Sequence, residues 1–436
     1  MWRDVLFLGA LILYVLAGCR LVPLHGDEAT ILYMSADFST LFLHGDLAHI
    51  EYRLPPPADD PEAATKQALR IVNGVTSKYV YGAMAWLTGF QNSDLPQQWL
   101  WGADYAYNQS QKAVPDAVLL FVCRWASALL TALSVVLIFV TGRRAGGAWT
   151  GYMATFIYAL TPAVLLNGRR AVFESTLLLF SALLVYLMLR WLNRALRPWQ
   201  MVALGVVGGL TVASKHTGVI SVAIVFVALI GGPLLARRWW LSVRTLAGLL
   251  GAGVISVVVF FALNASWWGT PLAMPDAVLQ LRQLLLKGQI DSFGGFNSST
   301  ERVFVLIGQP LLAAPQYFEV TTGWPDWIGG QIRQYEDARL AGLYGARWTF
   351  IAGALVLIGV GRVLLRLIIT LRRDPLAAGP EAALLLWLTA TAITLYVLTP
   401  LDWQRYYVPL VAPMAVFAGL ALRAVPYRIS TAMQSR

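Results

Sequence analysis

The chain has 436 residues, 58% of them hydrophobic and only 13% charged, with a mean hydropathy of +0.61 and a net charge of +10. Soluble domains carry about 25% charged residues, so a single large soluble core is excluded and a multi-span membrane protein is expected. The positive charge does not point to nucleic acid, because the basic residues form no soluble patch and fall in short loops between apolar stretches.

Ten stretches approach the roughly 20 apolar residues that a membrane crossing needs: near 4–22, 116–141, 148–166, 172–192, 199–214, 217–236, 243–264, 347–369, 382–399 and 406–424. The first follows Arg3 and has no small-residue cleavage site after it, so it reads as a retained helix. Cys19 and Cys123 fall in separate spans and give neither a disulfide framework nor a metal-ligand spacing. Arginines mark the short loops: Arg143 and Arg144, Arg194 and Arg197, Arg237 and Arg238, Arg372 and Arg373, then Arg423, Arg428 and Arg436 at the end. A cytoplasmic N-terminus places every one of these on the inner side, as the positive-inside rule requires.

The same assignment leaves two long segments outside, 23–115 and 265–346, within what reads as one all-α transmembrane domain over 1–436. Segment 69–90 is moderately apolar but holds Arg70, Asn73 and Lys78. A crossing there would invert everything after it, so it reads as helix lying at the outer surface. Segment 303–320, with Pro310 and Pro315, reads the same way.

Polar residues beside the span ends gather on that outer side. His25-Gly26-Asp27-Glu28 follows the first span, and an acidic pair held near lipid is a functional candidate by default. Arg169-Arg170 and Glu174 lie around the 167–171 turn, Lys215-His216 in the 215–216 turn, and Arg405-Tyr406 in the turn before the last span. Each has a plainer reading. The acids could cap a helix; Arg169, Arg170, Lys215 and Arg405 could be interfacial anchors; Glu174 could pair with one of those arginines. Two arginines on an outer turn nevertheless oppose the charge rule and need a further reason. His25, His44 and His49 lie near Asp27, Asp46 and Glu51, which makes a divalent ion conceivable, but no fixed spacing supports it over loop histidines. Acids near bases at the membrane surface suit a reaction between a lipid phosphate and a hydroxyl. A transporter or lipid flippase is the rival reading, but it would need ionisable residues at mid-span.

Four motifs in this order resemble one family. They are Asp27-Glu28 after the first span, Arg169-Arg170-Ala171-Val172-Phe173-Glu174 before a Leu/Phe-rich helix, Lys215-His216-Thr217-Gly218, and Arg405-Tyr406-Tyr407-Val408-Pro409 before the last helix. Together they resemble GT-C class membrane glycosyltransferases, in the branch of protein O-mannosyltransferases and lipid A aminoarabinose transferases. Arg124 resembles an arginine early in the second span of that branch. Pro55-Pro56-Pro57 departs from its usual His-Pro-Pro, and 265–346 is too short for the added module of eukaryotic protein O-mannosyltransferases.

The resemblance implies a polyprenyl-phosphate sugar donor, a hydroxyl acceptor on protein, lipid or glycan, and an inverting displacement at the extracytoplasmic face. It implies Asp27 as general base with Glu28 beside it. Arg405, Lys215 and Arg169 would bind the donor phosphate. Glu174, Arg170, Tyr406 and His216 would position substrate.

Overall fold

The computed structural model describes residues 2–53, 62–319 and 323–422, and all regular structure among them is helical. Pro55-Pro56-Pro57 and Arg423, Arg428 and Arg436 lie outside the described residues. The helices relevant here are α1 (Trp2–Ala17), α2 (Gly26–Met34), α3 (Ala63–Val72), α4 (Thr76–Leu87), α5 (Ala117–Gly146), α6 (Ala148–Leu160), α7 (Pro162–Arg169), α8 (Glu174–Trp191) and α9 (Pro198–Ser214). They continue with α10 (Gly218–Leu235), α11 (Trp239–Leu263), α12 (Met274–Phe293), α13 (Ser299–Leu311), α14 (Trp324–Asp337), α15 (Ala346–Arg373), α16 (Gly379–Leu398) and α17 (Gln404–Leu420).

Over the described residues each of the ten apolar stretches is largely helical, and the chain is a multi-pass membrane protein. Among the described residues seven helices (α1 with the turn that extends it to Arg20, α5, α8, α10, α11, α15 and α16) are long and apolar enough to cross, or eight if the bent pair α6–α7 counts as one span. The expectation of about ten is therefore reduced by length. α9 and α17 have 17 residues each, at the short limit of a crossing. The Leu69–Phe90 stretch is split between α3 and α4, of 10 and 12 residues, and α13 has 13. None of these reaches across about 30 Å of hydrocarbon at 1.5 Å per residue.

Local chemistry sets the helix limits. Asp116 caps α5, its carboxylate accepting from the Val118 and Leu119 N–H groups at 2.8 and 3.1 Å, and Arg143 and Arg144 occupy its last turn. Pro162 cannot continue α6, so the chain bends by 60° there and α7 delivers Asn167-Gly168-Arg169-Arg170 into the interior. α9 and α11 meet closely because Gly205 and Gly209 face Ile255 and Val259, with Ser256 Oγ donating to the Gly205 carbonyl at 2.9 Å. Small residues allow such approach where lipid gives no hydrophobic drive.

The two ends of the bundle differ. At one end the arginine loops are tied together: Arg143 to Asp4 at 2.6 Å, Arg144 Nε to the Leu189 carbonyl at 2.7 Å, and Asn193 Nδ2 to the Leu376 carbonyl at 2.6 Å. α8 starts with Glu174 at the other end, where α2, α3, α12 and the start of α17 assemble around a cavity.

Candidate active site

The cavity has a volume of about 960 Å³. Its polar wall carries Asp27, Glu174, Lys215, Arg282, Glu319 and Arg405, and Leu281, Leu284 and Leu285 of α12 form part of an apolar wall. Leu284 and Leu285 are also 66% and 49% exposed, so this wall continues onto the outer surface of the helix.

Asp27 is placed by the start of α2. His25 is the extended N-cap, its ring Nδ1 accepting from the Asp27 N–H at 3.1 Å, while the His25 N–H donates to Glu28 at 3.1 Å in a reciprocal capping box. Asp27 therefore sits in the first helical turn, where backbone N–H groups favour a negative charge. Its carboxylate is 26% exposed and is paired with the Arg405 guanidinium from the first turn of α17.

Arg405 also approaches Glu319, Nε to Oε1 at 3.2 Å, and lies over the Trp403 and Tyr406 rings. Lys215 ends α9 and pairs with Glu174 at 3.0 Å, its ammonium 5.7 Å from the centre of the Tyr406 ring. Tyr406 stacks on Trp403 and donates to Gln289 at 3.4 Å. Asp27, Arg405, Lys215, Glu174 and Tyr406, from four distant parts of the chain, thus line one space.

Four expected site residues do not reach it. Glu28 is fully buried and its oxygens are saturated. Arg124 holds it in a fork, Nε–Oε1 at 2.7 Å and Nη2–Oε2 at 2.6 Å, and the Ala171 N–H donates at 2.9 Å. Burial pushes its carboxyl up, but Arg124 outweighs this and holds it below the usual range. Where a catalytic acid facing the cavity was expected, Glu28 faces the interior and is held by the planar fork of Arg124.

Arg169 is likewise enclosed and does not line the cavity. Its guanidinium is fully buried and donates to the Val15 carbonyl at 2.9 Å, the Tyr14 carbonyl at 2.6 Å, the Leu340 carbonyl and the Tyr335 hydroxyl. Gly18 leaves room for it, since a Cβ there would overlap the guanidinium. Arg170 donates to the Pro23 and Tyr317 carbonyls at 3.1 and 2.7 Å and is also buried, so it orders loops rather than substrate. His216 packs against Phe260 and Trp267, with neither ring nitrogen hydrogen-bonded. Burial, helped by Arg282, lowers its pKa to about 3, and it does not line the cavity.

The divalent-ion expectation finds no support in the side chains. Among the described residues no three His, Cys, Asp or Glu side chains form a metal set. His25 spends its second ring nitrogen on Glu319 at 2.6 Å, His49 pairs with Asp46 at 2.7 Å, and His44 is exposed.

Two site residues were not anticipated. Arg282 of α12 lines the cavity and donates from Nη2 to the Val72 carbonyl, while its Nε is buried with no partner. Among the described residues no carboxylate pairs with it. Its signal was spacing: Leu281, Arg282, Leu285, Gln289 and Ser292 share one face of a helix, and a guanidinium on an otherwise mostly uncharged face needs an anion. Glu319, in the stretch after α13, carried no such signal.

The solved structure of ArnT from Cupriavidus metallidurans bound to undecaprenyl phosphate is similar over 97% of this chain, with a TM-score of 0.54 and 15% identity, and the chain spans 60% of its length. The Saccharomyces cerevisiae protein O-mannosyltransferase Pmt1-Pmt2 complex bound to the sugar donor is similar over 64% of this chain and 34% of its own, at 17% identity and a TM-score of 0.38. AglB, the oligosaccharyltransferase of Archaeoglobus fulgidus in complex with an inhibitory peptide and a dolichol-phosphate, covers 97% of this chain and 50% of its own, at 16% identity and a TM-score of 0.47. No curated protein matches the sequence. At these identities the likeness is one of fold, an all-helical GT-C-like fold matching that of ArnT. Within it, residues 77–271 match the family model of dolichyl-phosphate-mannose-protein mannosyltransferase. That match covers less than half of the chain.

Proposed function

We propose that this protein is an inverting glycosyltransferase that moves a sugar from a polyprenyl-phosphate donor to a hydroxyl of a protein, lipid or glycan acceptor. The observation that carries this reading is the cavity itself. It combines one partly exposed carboxylate, three cationic side chains and an apolar wall continuous with the outside of the bundle. The arginine-rich end is read as cytoplasmic by the positive-inside rule, which puts the cavity on the extracytoplasmic face.

Asp27 is the general base. It takes the acceptor hydroxyl proton as the oxygen forms its bond to the anomeric carbon, and the bond from that carbon to the phosphate oxygen breaks with its electron pair going to the phosphate. One displacement inverts the anomeric centre. Arg405, Lys215 and Arg282 meet the charge that grows on the leaving phosphate. Planar guanidinium groups suit phosphate oxygens, and the ammonium acts as a point charge. Glu174 orients Lys215. Tyr406, between the two cations of the 215 and 405 turns, offers its hydroxyl and ring edge to the sugar phosphate. The isoprenoid tail runs along Leu281, Leu284 and Leu285.

Asp27→Asn preserves the shape of the side chain and removes the base. In a deletion strain, wild-type protein should restore a glycosylated species seen by mass spectrometry of glycans and glycolipids, and Asp27→Asn should reduce it by about 10²- to 10⁴-fold. Near-normal product from that variant would remove the base assignment.

A further inference from the structure

Glu319 lies between α13 and α14 with its side chain only 6% exposed. One carboxylate oxygen is 2.6 Å from His25 Nε2 and the other is 3.2 Å from Arg405 Nε. That nitrogen is buried and makes no hydrogen bond, so the second interaction is a charge contact without hydrogen-bond alignment. The charged and titratable groups around Glu319 are Arg405 from α17, His25 at the N-cap of α2, Arg170 from the turn after α7, and Asp27 across the guanidinium.

His25 supplies no positive charge here. Its Nδ1 accepts the Asp27 N–H, so in the neutral ring the proton sits on Nε2 and is donated to Glu319. Burial, reinforced by Arg170 and Arg405, holds its pKa well below the ordinary value. Two carboxylates, Asp27 and Glu319, therefore share the one guanidinium of Arg405.

Building on the donor reading above, we propose that Glu319 is the resident counter-ion of Arg405 and releases it, by taking up one proton, when a lipid phosphate binds. The phosphodiester brings one negative charge to a guanidinium that already faces two. Arg282 offers the phosphate a second cation, but at Arg405 itself three anions then crowd one guanidinium, and protonating one of them relieves that repulsion. Asp27 is the more exposed and sits in a helix first turn, where backbone N–H groups favour its negative charge. Glu319 is the more buried, and burial raises its pKa to about 7 against the opposing pull of Arg170. The proton comes from solvent, no other bond changes, and the protonated carboxyl still accepts from His25 through one oxygen. Glu319 is in this sense a positioning residue: it holds Arg405 ready and yields it.

The sign of the pH dependence follows. Below about pH 7 Glu319 is already protonated and donor affinity should be flat. Above it, each pH unit should weaken binding by up to about tenfold, because a proton must be taken up. The test uses the full chain in nanodiscs, titrated with undecaprenyl phosphomannose, a phosphodiester singly charged across pH 6–9. Calorimetry in two buffers of different ionisation heat should count up to one proton taken up per lipid at pH 8. Glu319→Gln should abolish both the slope and the proton uptake, and should bind more tightly than wild type at pH 8. A flat wild-type profile with tight binding, or a Glu319→Gln variant that keeps the slope, overturns this inference and leaves the donor reading standing. No binding at any pH overturns both. Should the variant fail to fold, the wild-type proton count decides by itself.

Discussion

Asp27 and Glu28 are neighbours in the chain and belong to different regions of the molecule. Asp27 faces a cavity, partly exposed, against Arg405; Glu28 faces the interior, locked to Arg124 and to the Ala171 N–H. At 3.6 residues per turn consecutive side chains point about 100° apart, so the first turn of α2 serves both regions at once. The arginines divide the same way. Arg169 and Arg170 are enclosed by carbonyl groups, whereas Arg405 and Arg282 line the open space. A charge is fixed for architecture when protein groups saturate its donors or acceptors, and is available for chemistry when they do not.

The largest effect that would test this division is on stability. Glu28→Ala strips the partner from a buried guanidinium and should cost about 3–5 kcal/mol, seen as loss of the monodisperse, heat-resistant protein in detergent. Asp27→Asn should melt where wild type does. A stable but inactive Glu28→Ala protein would merge the two regions into one.

Arg282→Gln sharpens the comparison from the other side. Among the described residues its one hydrogen bond is to the Val72 carbonyl, so folding should be little changed. Loss of a charge-assisted contact of about 1.5–3 kcal/mol should weaken binding of undecaprenyl phosphomannose by roughly 10- to 100-fold. Unchanged affinity would return Arg282 to the architectural group.

The smallest effect concerns His216. Its pKa is lowered to about 3 by burial, against about 6.5 in an unfolded chain. The unfolded state therefore binds the extra proton first as pH falls, so wild-type stability is full above about pH 6.5 and declines below it. His216→Phe should remove about 1 kcal/mol of that decline by pH 5.5 and leave transfer at pH 7.5 untouched. Equal acid sensitivity in the two proteins would show that the ring does not stay neutral.

Much of the frame was legible in sequence because hydropathy and arginine placement are summed over many residues. Over the described residues each of the ten apolar stretches is largely helical, and position beside a span end sufficed to bring Asp27, Glu174, Lys215, Arg405 and Tyr406 to one cavity. Direction was not legible. Nothing in Arg169-Arg170 says that a 60° bend at Pro162 turns them inward, and nothing in Glu28 says that Arg124 waits for it. Arg282 was readable in principle, as a charge on the mostly uncharged stripe of α12. Glu319 was not, since its neighbours His25 and Arg405 are distant in sequence and its own segment has no periodicity.

The apolar wall of α12 has a consequence for what the protein can measure. Leu284 and Leu285 line the cavity and also face outward, so the slot is open sideways there. On the proposed donor reading, a lipid substrate then stays anchored in the bilayer while only its head is gripped. Discrimination falls on the charged headgroup and the sugar, and isoprenoids of quite different lengths should serve alike.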